Sequence, residues 1–262
     1  MSVSPRPSTR GAAKSSRVAL VTGASSGIGA ATARCLAEAG TAVAVNYHRH
    51  QAAGESVVGG IQAEGGTAVG VQADVTDARE VRQMVERVEH DLGPIQVLVC
   101  NAAGVTDPAF GKLLDISPEA IERLMLRQLR AVLTPVRAVL PGMLARGTGS
   151  IVVVSSELAR SPKPGFVALS IAKGAIEAAA RALAVELGPH GVRVNVVAPG
   201  PTLTAAAAWA SADVRREWAE RAPLRRNAFA EDVAGPIAFL LSDAARFVTG
   251  AYLAADGGVV MP

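Results

Sequence analysis

The chain has 262 residues, half of them apolar, with 26 Lys and Arg against 23 Asp and Glu. That length and apolar content suit one α/β domain with a large core, and no apolar run approaches the roughly 20 residues needed to cross a bilayer. The excess of positive charge sits at the front, where Arg6, Arg10, Lys14 and Arg17 stand in an acid-free stretch; without them 22 bases face 23 acids, which argues against a nucleic-acid-binding face. Met1 to Ser16 is polar and rich in Pro and Ser, with no apolar signal core. The expectation is a disordered tail over residues 1–15, a single domain over 16–262, no membrane association and a cytoplasmic location. Cys35 and Cys100 have neither metal-ligand nor disulfide-scaffold spacing and read as small core residues in a reducing compartment.

Apolar runs of strand length alternate with longer helical patterns. Val18–Val21, Ala42–Val45, Ala68–Val71, Val97–Val99, Ile151–Val154 and Val194–Val197 are short, rich in Val and Ala, and apolar on both faces, as buried parallel strands are. Helical stretches intervene at Gly27–Ala39, Gln51–Glu64, Ala78–His90, Pro118–Ala145 and Val167–Leu187, and Glu231–Leu241 precedes a seventh strand near Ala251–Ala254. Such alternation predicts a Rossmann-type doubly wound parallel sheet, and right-handed crossovers give the order 3-2-1-4-5-6-7. Ligands then belong at the carboxyl ends of the strands, where the order reverses. Between Gly200 and Asn227 the strand pattern lapses; Ala205–Ala208, Trp209 and Trp218 suggest short amphipathic helices forming a lid.

Gly23, Gly27 and Gly29 follow the first strand directly and open the first helix, in the run Thr22-Gly23-Ala24-Ser25-Ser26-Gly27-Ile28-Gly29. A pyrophosphate needs backbone N–H groups and a helix N-terminus brought close, and residues without side chains permit that approach. The second strand ends in Asn46-Tyr47-His48-Arg49, with no acid to hold a ribose 2′-hydroxyl. Arg49, helped by His48, can pair with a 2′-phosphate instead, so NADP(H) is preferred over NAD(H).

From this glycine loop to Asp256-Gly257-Gly258 the chain resembles the short-chain dehydrogenase/reductase family, and within it ketoreductases of the 3-oxoacyl-carrier-protein reductase type. The resemblance implies an adenine contact at Asp74-Val75 and a strand-end element at Asn101-Ala102-Ala103-Gly104, with Cys100 in the place of a preceding asparagine. It also implies a nicotinamide-binding loop at Pro199-Gly200 with Thr204. The family's catalytic set is a Tyr-x-x-x-Lys helix, a serine and an asparagine. Here the serine is Ser156, the lysine Lys173, and the asparagine position holds Gln128. Lys173 also has the family's second use, holding the nicotinamide ribose.

The tyrosine position holds Leu169, one helical turn from Lys173 on the same face. A positioned general acid contributes about 10² to 10⁴ in rate, so its replacement must come from elsewhere. Glu157, beside Ser156, is one candidate, its other reading being a solvated loop acid; Lys173 itself, directly or through water, is another. Ser170 faces away on the helix, and Tyr47 and Tyr252 belong to other ends of the sheet. His190 reads as a surface turn residue, Asp107 and Glu119 as turn and first-turn acids, and no metal constellation is present.

Three functions compete. The first is an NADP-dependent reductase of a carbonyl, an imine or a conjugated bond with an unusual proton source, acting on an apolar or aromatic small molecule. The second is a catalytically silent partner of an active relative, and the third a non-redox enzyme in the same pocket. The helices at Pro118–Ala145 and Val167–Leu187 resemble those through which the family dimerises, implying a homodimer, a homotetramer or a hetero-oligomer.

Overall fold

The computed structural model describes residues 17–102 and 110–261. Ala103, Gly104 and Asp107 lie outside the described residues, as does the opening stretch to Ser16.

Among the described residues seven strands form one parallel sheet in the order β3-β2-β1-β4-β5-β6-β7. The strands are β1 (Val18–Val21), β2 (Ala42–Tyr47), β3 (Ala68–Gln72), β4 (Ile95–Cys100), β5 (Gly149–Val154), β6 (Val192–Pro199) and β7 (Tyr252–Ala255). The helices are α1 (Gly27–Glu38), α2 (Gln51–Ala63), α3 (Ala78–Asp91), α4 (Pro118–Arg146), α5 (Val167–Leu187), α6 (Ala212–Arg221) and α7 (Ala230–Leu241). Strand order and element sequence agree with the pattern reading. Several strands run one to two residues further, and β6 continues into Pro199 at the sheet's carboxyl edge, where its register with Ala255 still holds.

The sheet is buried on both faces because its strands offer apolar side chains to both. One core joins Leu20, Leu98, Ile151 and Val194 to Met84 of α3, Val139 of α4 and Ile176 of α5. The other joins Val21, Val45, Val99 and Val197 to Leu36 of α1, Ile61 of α2 and Ile237 of α7.

Local chemistry fixes the helix ends. Asp77 accepts from the N–H groups of Arg79 and Glu80 at 2.8 and 2.9 Å to cap α3, and Ser117 caps α4 ahead of Pro118. Gly147 ends α4 with φ +63°, a left-handed conformation that glycine adopts without strain. Glu119 falls in the first turn of α4, and His190 in an exposed turn after α5. Cys100 is fully buried, whereas Cys35 is only half-buried on α1. No helix among the described residues is long and apolar enough to cross a membrane.

Candidate functional site

Many of the singled-out residues fall at or just after the carboxyl ends of the strands. Gly23 has φ +61°, and a Cβ there would stand 2.8 Å from Ala102 Cα. At Gly29 an added Cβ would stand 2.4 Å from Gly23 O and 2.5 Å from Asn101 Nδ2. The loop is therefore folded against the end of β4 at distances no side chain allows. Ser26 precedes α1 in extended conformation, and its hydroxyl makes no cap to the helix. The first-turn N–H groups at Gly27 and Ile28 consequently have no side-chain cap from Ser26.

Two of the expected cofactor residues face inward as braces. Asn101 Nδ2 donates to Thr22 O and Gly23 O, each at 3.0 Å, while Thr22 Oγ1 accepts from the N–H groups of Asn101 and Ala102. Asn46, fully buried, accepts from Gly23 N at 3.1 Å and donates to Ala73 O at 3.2 Å. Both amides thus hold the glycine loop in place from below.

A cavity of about 250 Å³ opens over the ends of β1, β2 and β3, lined by Gly23, His48, Arg49, Asp74, Val75 and Ala102 among others. Arg127 of α4 also lines it, a residue the sequence reading passed over. Burial pushes the Asp74 carboxyl up, but hydrogen bonds from Thr76 and the nearby His48 and Arg127 charges outweigh it and hold the group below its usual range. His48 Nδ1 stands 3.9 Å from Asp74 Oδ2. A second cavity, about 390 Å³, is lined by Ser25, Ser26, Gly27, Arg34 and Thr204. Ser25 borders both, so the glycine loop stands between the two cavities. Past the end of β6, Gly200 donates its N–H to Ala255 O at 3.2 Å.

Ser156 follows β5 in extended conformation, and its Oγ accepts from Leu158 N at 3.3 Å. Lys173 is buried; its ammonium donates to Val154 O at 3.1 Å, and burial, opposed by Glu177, pushes its pKa down to about 8. Leu169, one turn earlier on α5, is half-buried against the cluster of Leu124, Ala168 and Ala172 that Ile121 and Met125 also join. Gln128 is buried on α4.

Glu157 corrects the reading of a solvated loop acid, because only 2% of the residue is exposed. Lys163 Nζ lies 3.0 Å from its Oε1, yet off the hydrogen-bonding angle, so both carboxylate oxygens lack a hydrogen-bond partner among the described residues. Tyr252 stands on β7, the edge strand two places from β5, toward the sheet end expected of it. Its ring carries the Arg160 guanidinium 3.4 Å from its centroid, and burial, then Glu177, pushes its hydroxyl up to about 12. Tyr47 does lie on the far side, at the end of β2.

Beneath the site is an arrangement the sequence reading missed. Ser155 Oγ donates to Glu177 Oε1 at 2.7 Å, and Arg160 Nε lies 3.4 Å from Glu177 Oε2. Glu177 is one turn past Lys173 on the same face of α5, a spacing that was available as a signal.

The segment expected to form a lid folds as the turn Ala205–Ala207 and α6, with the Trp209 and Trp218 rings edge to face at 5.7 Å. Trp218, however, lines a cavity of about 440 Å³ shared with Pro223 and Asp256 to Val259, and neither Ser156 nor Lys173 borders it. Phe110 and Phe166, the latter at the start of α5, pack edge to face at 5.4 Å.

The comparisons with known proteins agree with this geometry. Residues 23–260 match the family described as enoyl-(acyl carrier protein) reductase. The chain is 42% identical over 248 residues to cis-4-hydroxycyclohexanecarboxylate dehydrogenase of Sinomonas cyclohexanicum, covering 95% of this chain and 98% of the relative. It is 34% identical to the 3-oxoacyl-[acyl-carrier-protein] reductase of Staphylococcus aureus, covering 95% and 100%. A solved structure of the promiscuous reductase LugOII, which catalyses keto-reduction at C1 during lugdunomycin biosynthesis, superposes with a TM-score of 0.86 at 34% identity, covering 94% of this chain and 98% of that one. With a glycine loop braced against β4, a crevice along the strand ends and relatives aligned from end to end, the chain belongs to the short-chain dehydrogenase/reductase family.

Proposed function

We propose that the protein is an NADP(H)-dependent reductase of an apolar or aromatic ketone whose proton does not come from a tyrosine. The reading is supported by one row of strand ends that carries both the cavity lined by Arg49 and His48 and, after β5, the Ser156 and Lys173 pair.

The residues fit a dinucleotide. Arg49 and His48, at a strand end without an acid, would pair with a 2′-phosphate. The loop Gly23 to Gly29 would receive the pyrophosphate, Asp74 and Val75 the adenine, and Pro199, Gly200 and Thr204 the nicotinamide end. When bound, such a nucleotide supplies hydride chemistry.

The chain's own residues do the rest. The Ser156 hydroxyl donates to the substrate oxygen, fixing it near Lys173. Leu169 stands where the family's proton donor does, and its apolar side chain can only shape the pocket. Lys173 is the better placed source of the proton, directly or through water, because an ammonium whose pKa is about 8 releases a proton readily near neutrality. Glu157, buried beside Ser156, is the alternative donor. Phe110 and Phe166 supply an apolar wall, consistent with relatives that act on a hydroxycyclohexanecarboxylate and carry out keto-reduction at C1 during lugdunomycin biosynthesis.

The test is consumption of NADPH by the purified protein alone, offered a panel of cyclic ketones, together with calorimetric titration of NADP and NAD. Arg49→Ala is expected to weaken NADP and leave NAD unchanged; equal affinities in the parent protein would remove the argument for NADP. Tight nucleotide binding without turnover on any ketone would favour the silent-partner reading. The exposed Leu126 and Leu144 of α4 and Ile171 and Val185 of α5 support pairing with a second copy or a relative.

A further inference from the structure

A carboxylate buried to 4% exposure is costly unless partners hold it in its charged form, and Glu177 has three kinds of partner. It takes a hydrogen bond from Ser155, the residue between Ser156 and Val154, whose carbonyl receives Lys173. It faces Arg160, which is more than one-third exposed and rests on the Tyr252 ring. It also lies one helical turn from Lys173, on whose ammonium its charge acts. Two consecutive residues at the end of β5 are thus gripped by two residues of α5 spaced one turn apart.

We propose that Glu177 is a positioning residue for the candidate site: docked on Ser155 and Arg160, it fixes α5 against the end of β5 and keeps the Lys173 ammonium charged where nucleotide and substrate meet. This rests on the reading of Lys173 as part of that site. Among the described residues, Arg160 from the segment after β5 faces Glu177 and rests on the neutral Tyr252 of β7, while Lys163 lies against the neighbouring Glu157. No charged residue is among the buried positions of α4, the helix packed against α5. Glu177 is therefore the one carboxylate acting on Lys173 from within its own helix face.

The prediction is a pH profile, and its sign follows from linkage. Folded Lys173 gives up its proton near pH 8, whereas an unfolded lysine holds it to about 10.4. Between those values the unfolded chain binds more protons, so stability rises with pH. Removing the Glu177 charge lowers the folded value, and the rise begins earlier.

The experiment follows urea unfolding from about pH 6 to 10 for the parent chain, Glu177→Gln, Lys173→Met and the double variant. The Lys173-dependent rise is expected to begin about one pH unit lower in Glu177→Gln, a tenfold shift in the equilibrium, and to vanish in both Met backgrounds. Glu177→Asp, which keeps the charge, restores the onset. An onset unmoved by Glu177→Gln, or a loss of stability equal at every pH, would overturn the proposal and leave Glu177 as a plain structural staple. Should Glu177→Gln be unfolded near pH 7, raising the pH to about 9 neutralises Lys173 and restores the fold; failure to recover there also overturns it. In parallel, NADPH affinity of Glu177→Gln is expected to fall about sixfold more than that of the parent between about pH 6.5 and 8.5, as a one-unit lowering of the Lys173 pKa dictates. An unchanged ratio counts against the proposal, while absence of NADPH binding by the parent chain overturns the cofactor reading alone, since the unfolding arm uses no nucleotide.

Discussion

Replacing Leu169 by tyrosine is the most direct probe of the chemistry. The side chain lies one turn before Lys173 on α5, half-buried, with Ile121 and Met125 of α4 in the same apolar cluster. A phenol there would have the Lys173 ammonium for a neighbour, and with a pKa of about 8 that ammonium is charged in about nine molecules in ten at pH 7. The cation favours the phenolate and so draws the hydroxyl pKa down from its ordinary value near 10. A positioned acid of this kind contributes about 10² to 10⁴ in rate, or roughly 3 to 5.5 kcal/mol of barrier. Against this stands the larger ring, for which overpacking costs about 1–3 kcal/mol of stability. Partial exposure of the site keeps that cost toward the lower end. Leu169→Tyr is therefore expected to raise reduction of simple ketones at least tenfold, read as loss of NADPH absorbance, with the urea midpoint and NADPH affinity measured on the same sample. A folded variant that binds NADPH and shows no gain, beside a parent protein that reduces its own substrate, would refute the reasoning. The site would then be built around another donor, and Glu157→Gln and Lys173→Met would tell the two candidates apart.

Gly29→Ala places a methyl 2.4 Å from Gly23 O, so the loop must shift; nucleotide affinity is expected to fall at least tenfold, and calorimetry showing parent-like binding would contradict the close packing described. Lys163→Ala strands the Glu157 carboxylate in the interior, at a cost of up to about 3–5 kcal/mol. The urea midpoint of the variant should fall below the parent's at about pH 7.5, and Lys163→Arg, which keeps a cation beside Glu157, should recover most of the loss; a parent-like midpoint in Lys163→Ala would contradict the pairing. Cys100, its thiol pushed up to about 12 by burial, should resist alkylation at neutral pH until the chain unfolds, and mass spectrometry finding rapid modification of the folded protein would show the β4 end to be open.

The strands and helices were legible because a parallel sheet buried on both faces forces uninterrupted Val and Ala runs, and the crossover rule then leaves one strand order. The glycine loop was legible for a related reason: only residues lacking a Cβ permit the approach of Gly29 to Gly23 and Asn101, so the requirement is written in the residue types themselves. Leu169 and Lys173 could be set on one face by helical spacing alone. Where side chains point across elements was not legible. Sequence spacing cannot say that Asn46 and Asn101 turn beneath the glycine loop, that the Trp218 wall faces the carboxyl-terminal segment, or that Glu157 is interior. Burial and charge coupling depend on neighbours far apart in the chain. Tyr252 meets Arg160 and Glu177 only because β7 adds to the sheet beside β6, and Lys173 acquires its lowered pKa only because α5 seats it against the end of β5. The sequence by itself determined which backbone could form and where a ligand crevice must open; tertiary structure decided which polar groups in that crevice are buried, braced or paired, because desolvation and ion pairing are set by distance in space.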